Sequence, residues 1–287
     1  MRRRRRRAER GRRALTAWAI FVYIFLYLPI LLVVVFAFNQ NRNVTLWTGF
    51  TTAWFGRAWH DPSYIPAIKT SFKIAALNAV IATILGTMAA LALARMRRAY
   101  RAPFDTLVYL TLVVPEIVIA VASLIFFSQA HEHTSLFPEL GWRTILLAHV
   151  VFNASLVMLI VRARFVGMGS TLEEASFDLG AGPLSTFRQV TLPRLYPAIL
   201  AGGLLAFTFS FDDYVTSNFT AGATTQTWPM VVFAAVRFGV TPAINALATM
   251  MLGVTVAAII ITGIVLRRGA RRTGTEQAGL GGALGLG

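Results

Sequence analysis

Apolar runs of about 20 residues, long enough to cross a bilayer as helices, recur along this chain, and arginine gathers in alternate intervals between them. In hydrocarbon every backbone N–H and C=O must be satisfied internally, which leaves closed barrels and helices as spanning structures. Runs of this length and continuity select helices. Arginine clusters nine-fold before residue 14, then four-fold in each of residues 95–101, 162–194 and 267–272. Those clusters hold most of the 27 basic residues, and their spacing follows the positive-inside rule. The net charge of +15 is therefore read as membrane orientation, and a nucleic-acid role for the leading arginines is set aside.

Six crossings follow, at residues 14–38, 74–94, 106–130, 144–161, 197–215 and 243–266. Residues 1–13 form a basic tail suited to anionic headgroups. The first run is too long for the 7–15-residue apolar core of a cleavable signal and lacks a small-x-small site, so it is read as a retained span. Residues 39–68 lie outside, where Phe50, Trp54, Phe55, Ala58 and Trp59 repeat at helical spacing. Asn43-Val44-Thr45 also spells a glycosylation sequon, to which no role is assigned. The third span carries Pro115-Glu116 in its middle. The chain divides into a tail at 1–13, the first span and external segment at 14–68, a five-helix domain at 69–266 and a second cytoplasmic tail at 267–287. Both termini fall on the cytoplasmic side.

The interval 170–198 has a grammar of its own. Ser170 and Glu173 have capping-box spacing, Gly180 suits a left-handed stop, Gly182-Pro183 restarts a helix, and Leu192-Pro193 ends it. Two helices this short are unstable alone in water and need a partner surface, supplied either by their own chain or by a second protein. Glu174-Ala175-Ser176, three residues, Gly180, nine residues, then Val190-Thr191-Leu192-Pro193 resembles the EAA loop of ABC importer permeases. Ser176 replaces alanine and Val190 isoleucine. The resemblance implies a coupling helix seated in a cleft of the ATP-hydrolysing subunit, with Glu174, Ala175, Gly180, Leu192 and Pro193 as coupling residues.

Glu116, Asp212 and Asp213 stand at or near membrane depth. Ionisable groups there are costly and are read by default as functional. For Glu116 the alternative is a cap on a helix broken by Pro115; for the aspartates it is an interfacial helix end. Phe209, Phe211, Tyr214 and Trp228 accompany them, and aromatic faces with carboxylates suit ammonium groups. Phe211-Asp212-Asp213-Tyr214-Val215, the Val236–Pro242 stretch VRFGVTP, Asn245-Ala246-Leu247-Ala248-Thr249 and Val114-Pro115-Glu116-Ile117-Val118 are similar to the spermidine/putrescine permease family, C-type subunit. Residues from about 27 to 266 share this resemblance. Glu116, Asp212, Asp213, Tyr214 and Trp228 are the candidate substrate path.

The expected fold is an all-α membrane protein, six helices in the type I ABC importer permease arrangement. The resemblance implies ABC ATPase subunits, a second homologous permease and an extracytoplasmic solute-binding protein as partners, in a bacterial plasma membrane. ATP and Mg would be bound by the ATPase, with no cofactor in this chain. No nucleophile–base–orienter set or phosphate-cradling motif is present. With no cysteine there is no thiolate metal site or disulfide framework, and His131-Glu132-His133 supplies too few ligands for a metal. Rival readings are a permease for another small solute, an ion-driven secondary transporter and, least favoured, a membrane enzyme.

Overall fold

The computed structural model describes residues 2–43, 46–134, 137–239, 241–253 and 256. It is helical, with no β-strand among the described residues beyond one isolated bridge between Asn39 and Phe50. The chain forms two compact units, Met1–Asp61 with Ala235–Gly287, and Pro62–Ala234.

In the first unit, α1 (Arg2–Phe36) carries the first span. The basic segment expected as a separate tail continues this helix, as arginine, a good helix former, allows. No residue of its apolar part, Leu15–Phe36, is buried, so lipid or another subunit must cover it. The external segment is knotted around Asn39. Its amide donates to the carbonyls of Asn43 and Leu46, its Oδ1 accepts the Thr48 N–H, and its own carbonyl accepts the Trp54 indole at 2.8 Å. That last bond anchors α2 (Ala53–Trp59), where the aromatic spacing predicts a short helix. Phe38 packs on Phe50 and Phe55 at 5.2 and 4.9 Å. The sequon's second and third residues lie outside the described residues.

The second unit begins with α3 (Tyr64–Arg95), followed by α4 (Arg98–Val113), α5 (Glu116–His133) and α6 (Trp142–Gly167). Then come α7 (Thr171–Asp178), the one-turn α8 (Pro183–Thr186), a π-helical turn over Phe187–Thr191 and α9 (Leu192–Asp212). Next is α10 (Val215–Thr220), and α11 (Trp228–Phe238) spans the boundary between units. The sixth expected span starts as α12 (Pro242–Gly253), and its remainder lies outside the described residues, as do residues 267–287.

Two departures from the expected spans have clear local causes. Residues 106–130 are not one continuous helix: α4 and α5 meet at 105° across Val114-Pro115. Val114 is extended, φ −62° and ψ 132°, as the steric demand of the following proline requires. The chain also does not stop at Leu192-Pro193. Pro193 sits in the first turn of α9, and helix runs without interruption from Pro183 to Asp212. The preceding π turn widens the backbone where proline lacks an N–H and its ring would crowd the previous turn.

The core of this unit lies where α3, α6 and α9 meet, around Ala82, Ala90, Leu93, Val157, Met158, Val161, Leu195 and Ala206. Lipid chains are as apolar as these side chains, so close packing has to hold the helices together. Gly86 is the tightest point: a Cβ there would stand 2.6 Å from the Ala154 carbonyl oxygen and 2.9 Å from the Met158 nitrogen. A buried polar pin crosses the same seam, with the Asn78 amide donating to the Ala206 carbonyl at 2.9 Å. At the opposite end of the bundle from α7, Ile74, Ile145 and Ala221 make a second cluster, and the Thr144 hydroxyl donates to the Thr220 carbonyl at 2.7 Å.

Candidate functional site

Two places in the second unit hold the candidate residues, at different levels of the bundle. The first is the α7–α8 hairpin. Gly180 has φ +83°, the left-handed stop its position predicts, and its N–H donates to the Phe177 carbonyl at 2.8 Å. The expected capping box does not form. Ser170 makes no side-chain cap, and Glu173 turns inward to accept the Thr191 hydroxyl at 2.5 Å. A buried threonine hydroxyl on the π turn needs a partner, and Glu173 is close enough to outcompete the local cap. Ser176, the departure from alanine in the motif, meets the buried Thr186 hydroxyl at 3.0 Å. The hairpin is thus pinned from inside by two hydroxyl contacts. Its outer surface carries Glu174, Ala175 and Gly180, all exposed, together with Leu172, Phe177, Leu179 (89% exposed) and Leu184 (78%). Leu192 and Pro193 stand apart from that surface, in the first turn of α9.

The second place is a cavity of about 620 Å³ between α4, α5, α6, α9 and α10. The bend after Val114 puts Glu116 at the start of α5, facing this space. Asp213 sits at the break between α9 and α10 on extended backbone, and its Oδ1 accepts the Ser217 N–H of α10 at 2.8 Å. Glu116 and Asp213 both line this cavity, near enough for each carboxyl to feel the other's charge. Two carboxylates in one cavity repel one another, a cost that a cation placed between them relieves. Asp212 and Tyr214 line the same cavity, as do Phe152 and Phe209, whose rings meet edge-on at 6.4 Å. Tyr214 also stacks on Phe233 at 4.1 Å. No lysine or arginine is among the lining residues.

Four of the five expected path residues therefore meet in one cavity. Trp228 does not join them. It is 8% exposed, its backbone N–H donates to Ser71 at 2.8 Å, and its ring packs edge-on against Tyr64. Phe211 also points elsewhere, stacking on Phe207. His131 and His133 occupy the last turn of α5, which runs past the expected span end at residue 130; Nδ1 of each ring meets a backbone carbonyl, and His131 Nε2 lies 3.6 Å from Glu139.

His149 and Asn153, which sequence reasoning passed over, line the cavity from α6. His149 is buried, with Nε2 at 3.3 Å from Asp213 Oδ1. The available signal was a histidine and an asparagine four residues apart within an apolar run, which places both on one face.

Comparison with known proteins agrees with this architecture. Residues 82–274 match the family described as binding-protein-dependent transport system inner membrane component. The putrescine transport system permease protein PotI of Escherichia coli (strain K12) is 42% identical over 213 residues, which are 73% of this chain and 75% of PotI. The spermidine/putrescine transport system permease protein PotC of Haemophilus influenzae is 35% identical over 222 residues, 77% of this chain and 84% of PotC. A chain of a bacterial ABC transporter involved in the import of the acidic polysaccharide alginate superposes with a TM-score of 0.65 at 16% identity, covering 91% of this chain and 97% of that one. The MetNI methionine ABC transporter gives a TM-score of 0.59 at 16% identity over 75% of this chain and 97% of that one. Identity this low speaks for the fold alone, which is that of a type I ABC importer permease. By the match over residues 82–274 and its likeness to PotI and PotC, this chain belongs to the binding-protein-dependent transport system inner membrane components, a family of multi-pass transport subunits rather than enzymes.

Proposed function

We infer that this chain is a permease subunit of an ATP-driven importer and forms part of the path for a small organic cation, a polyamine such as putrescine or spermidine. The observation that carries the substrate class is the Glu116–Asp213 carboxyl pair in an aromatic-lined cavity without a lysine or arginine. An ammonium group relieves the repulsion between such carboxyls, gains charge-assisted hydrogen bonds and offers the attached methylenes to Phe152 and Phe209. The names of PotI and PotC support the same class.

The α7–α8 hairpin is the handle for a separate ATPase. Its outer apolar residues supply a docking surface, and its inner hydroxyl contacts make it move as one body with α9. ATP and Mg are bound by that partner. A second homologous permease completes the path, and an extracytoplasmic binding protein delivers the solute. The chain lies in a bacterial inner membrane with both termini cytoplasmic. ATP drives transport because its binding favours one arrangement of the two permeases over the other.

The test is reconstitution with the two ATPase subunits, the second permease and the binding protein in proteoliposomes. ATP-dependent uptake of radiolabelled putrescine or spermidine is expected. Asp213→Asn and Glu116→Gln should each lower it at least tenfold at unchanged complex yield, about the effect of losing one charge-assisted hydrogen bond. Wild-type uptake in both variants would refute the carboxyl pair as the cation acceptor.

A further inference from the structure

His149 lies at the centre of a buried polar cluster that joins α6 to the helix break carrying Asp213. The histidine is 3% exposed. Its Nδ1 is 2.8 Å from Ser210 Oγ, and its Nε2 is 3.3 Å from Asp213 Oδ1 and 3.4 Å from Ser217 Oγ. Ser210 and Ser217 are themselves buried, on α9 and α10. One turn along α6, the Asn153 amide donates to the His149 carbonyl at 3.0 Å. The imidazole is therefore held on both ring nitrogens, and its helix fixes it in place.

Asp213 has the opposite problem. It sits at the junction of two helices on extended backbone, so its orientation depends on the contacts its carboxylate makes. The Ser217 N–H donates to its Oδ1 at 2.8 Å, and His149 Nε2 approaches the same oxygen. With a proton on Nε2 the ring presents its N–H edge to Asp213 Oδ1 and the Ser217 hydroxyl, while Ser210 serves Nδ1 as donor or acceptor. Both holding contacts fall on Oδ1, so Oδ2 is committed to neither.

We propose that His149 is a positioning residue of the translocation path: from α6 it fixes Asp213 by one carboxylate oxygen, so that the other oxygen and Glu116 together receive a single ammonium group. This rests on the reading of Glu116 and Asp213 as cation acceptors. Without His149 the Ser217 N–H is what remains on Oδ1, the carboxylate swings about that one bond, and the pair no longer converges on one nitrogen. The path then loses a geometry, rather than merely a filled volume.

The complete transporter in proteoliposomes, with saturating putrescine-loaded binding protein, tests the role by comparing two substitutions that both keep the side chain large. His149→Gln retains an N–H donor near Asp213; His149→Leu fills the space and donates nothing. The maximal putrescine uptake rate should fall about tenfold in the leucine variant, as expected for one lost charge-assisted contact. In the glutamine variant it should fall about threefold or less. Equal rates in the two variants, at equal amounts of assembled complex, would overturn the proposal by showing that only volume matters at this position. If the leucine variant does not assemble, Ser210→Ala asks the same question through Nδ1: a loss of about threefold supports the proposal, and the wild-type rate overturns it. Asp213→Asn and Glu116→Gln run in parallel. Wild-type rates for those two would strike the acceptor reading itself, whereas impaired acids with equal glutamine and leucine variants would strike His149 alone.

Discussion

The Thr191 hydroxyl donates to the Glu173 carboxylate across 2.5 Å, tying the short helix α7 to the π turn that leads into α9. Thr191 is buried and Glu173 half-buried, so the contact is shielded from competing water. It turns a hairpin of two marginal helices into an extension of a membrane-spanning one. Removing it by Thr191→Val or Glu173→Ala should cost about 1–3 kcal/mol locally, since each leaves a part-buried polar partner unmatched. Transport per ATP hydrolysed should fall in both. The double variant should lose little more than either single one, and a double-mutant cycle of uptake checks this. Additive losses would mean the two side chains act separately.

Gly180 holds its φ of +83° with nothing within 4 Å of where a Cβ would be. The demand at this position is thus conformational and not steric crowding by neighbours. A left-handed backbone costs a residue with a Cβ about 1–2 kcal/mol, and a β-branched one more. Gly180→Ala should keep partial uptake, while Gly180→Val should abolish it and uncouple the ATPase with normal membrane insertion. Uptake, ATPase activity and membrane level measured together check the prediction; wild-type uptake in the valine variant would remove Gly180 from the handle.

Gly86 is the reverse case. Its helix is regular, but an added methyl would meet backbone atoms of Ala154 and Met158 and the Cβ of Val157 at 2.7 Å. Backbone cannot rotate aside, so α3 and α6 must separate. Gly86→Ala should destabilise the bundle by about 1–3 kcal/mol or more, seen as a lower midpoint of thermal unfolding in detergent. Gly56→Ala on α2, with open space at its Cβ, should leave the midpoint unchanged or slightly raised.

The natural absence of cysteine makes topology directly measurable. Ala181→Cys, on the hairpin, should react with a membrane-impermeant maleimide only from the cytoplasmic side. Thr224→Cys, exposed on the α10–α11 connection, should react only from outside. The neighbouring Gly222 is a poor labelling site, since its φ is +63° and a Cβ there would lie 2.5 Å from the Leu140 carbonyl oxygen. The opposite labelling pattern would invert the proposed orientation.

Sequence alone carried the long apolar runs, the gathering of arginine in alternate intervals between them, the left-handed turn at Gly180 and the family motif around it. These are local or statistical properties: bilayer thickness sets run length, lipid excludes charge, and one glycine suffices for one positive φ. It also marked Glu116 and Asp213 as acids within or beside apolar runs, but 97 residues apart along the chain (116 to 213). Only the tertiary structure brought them together, because the 105° bend at Val114-Pro115 and the break after Asp212 aim two different helices into one cavity. The same long-range packing gave Glu173 a better partner than its own helix end, carried helix through Pro193, drew Trp228 away to Ser71 and set His149 beside Asp213. Each of those outcomes depends on which side chain lies across a helix interface, and periodicity along one helix carries no information about its neighbour.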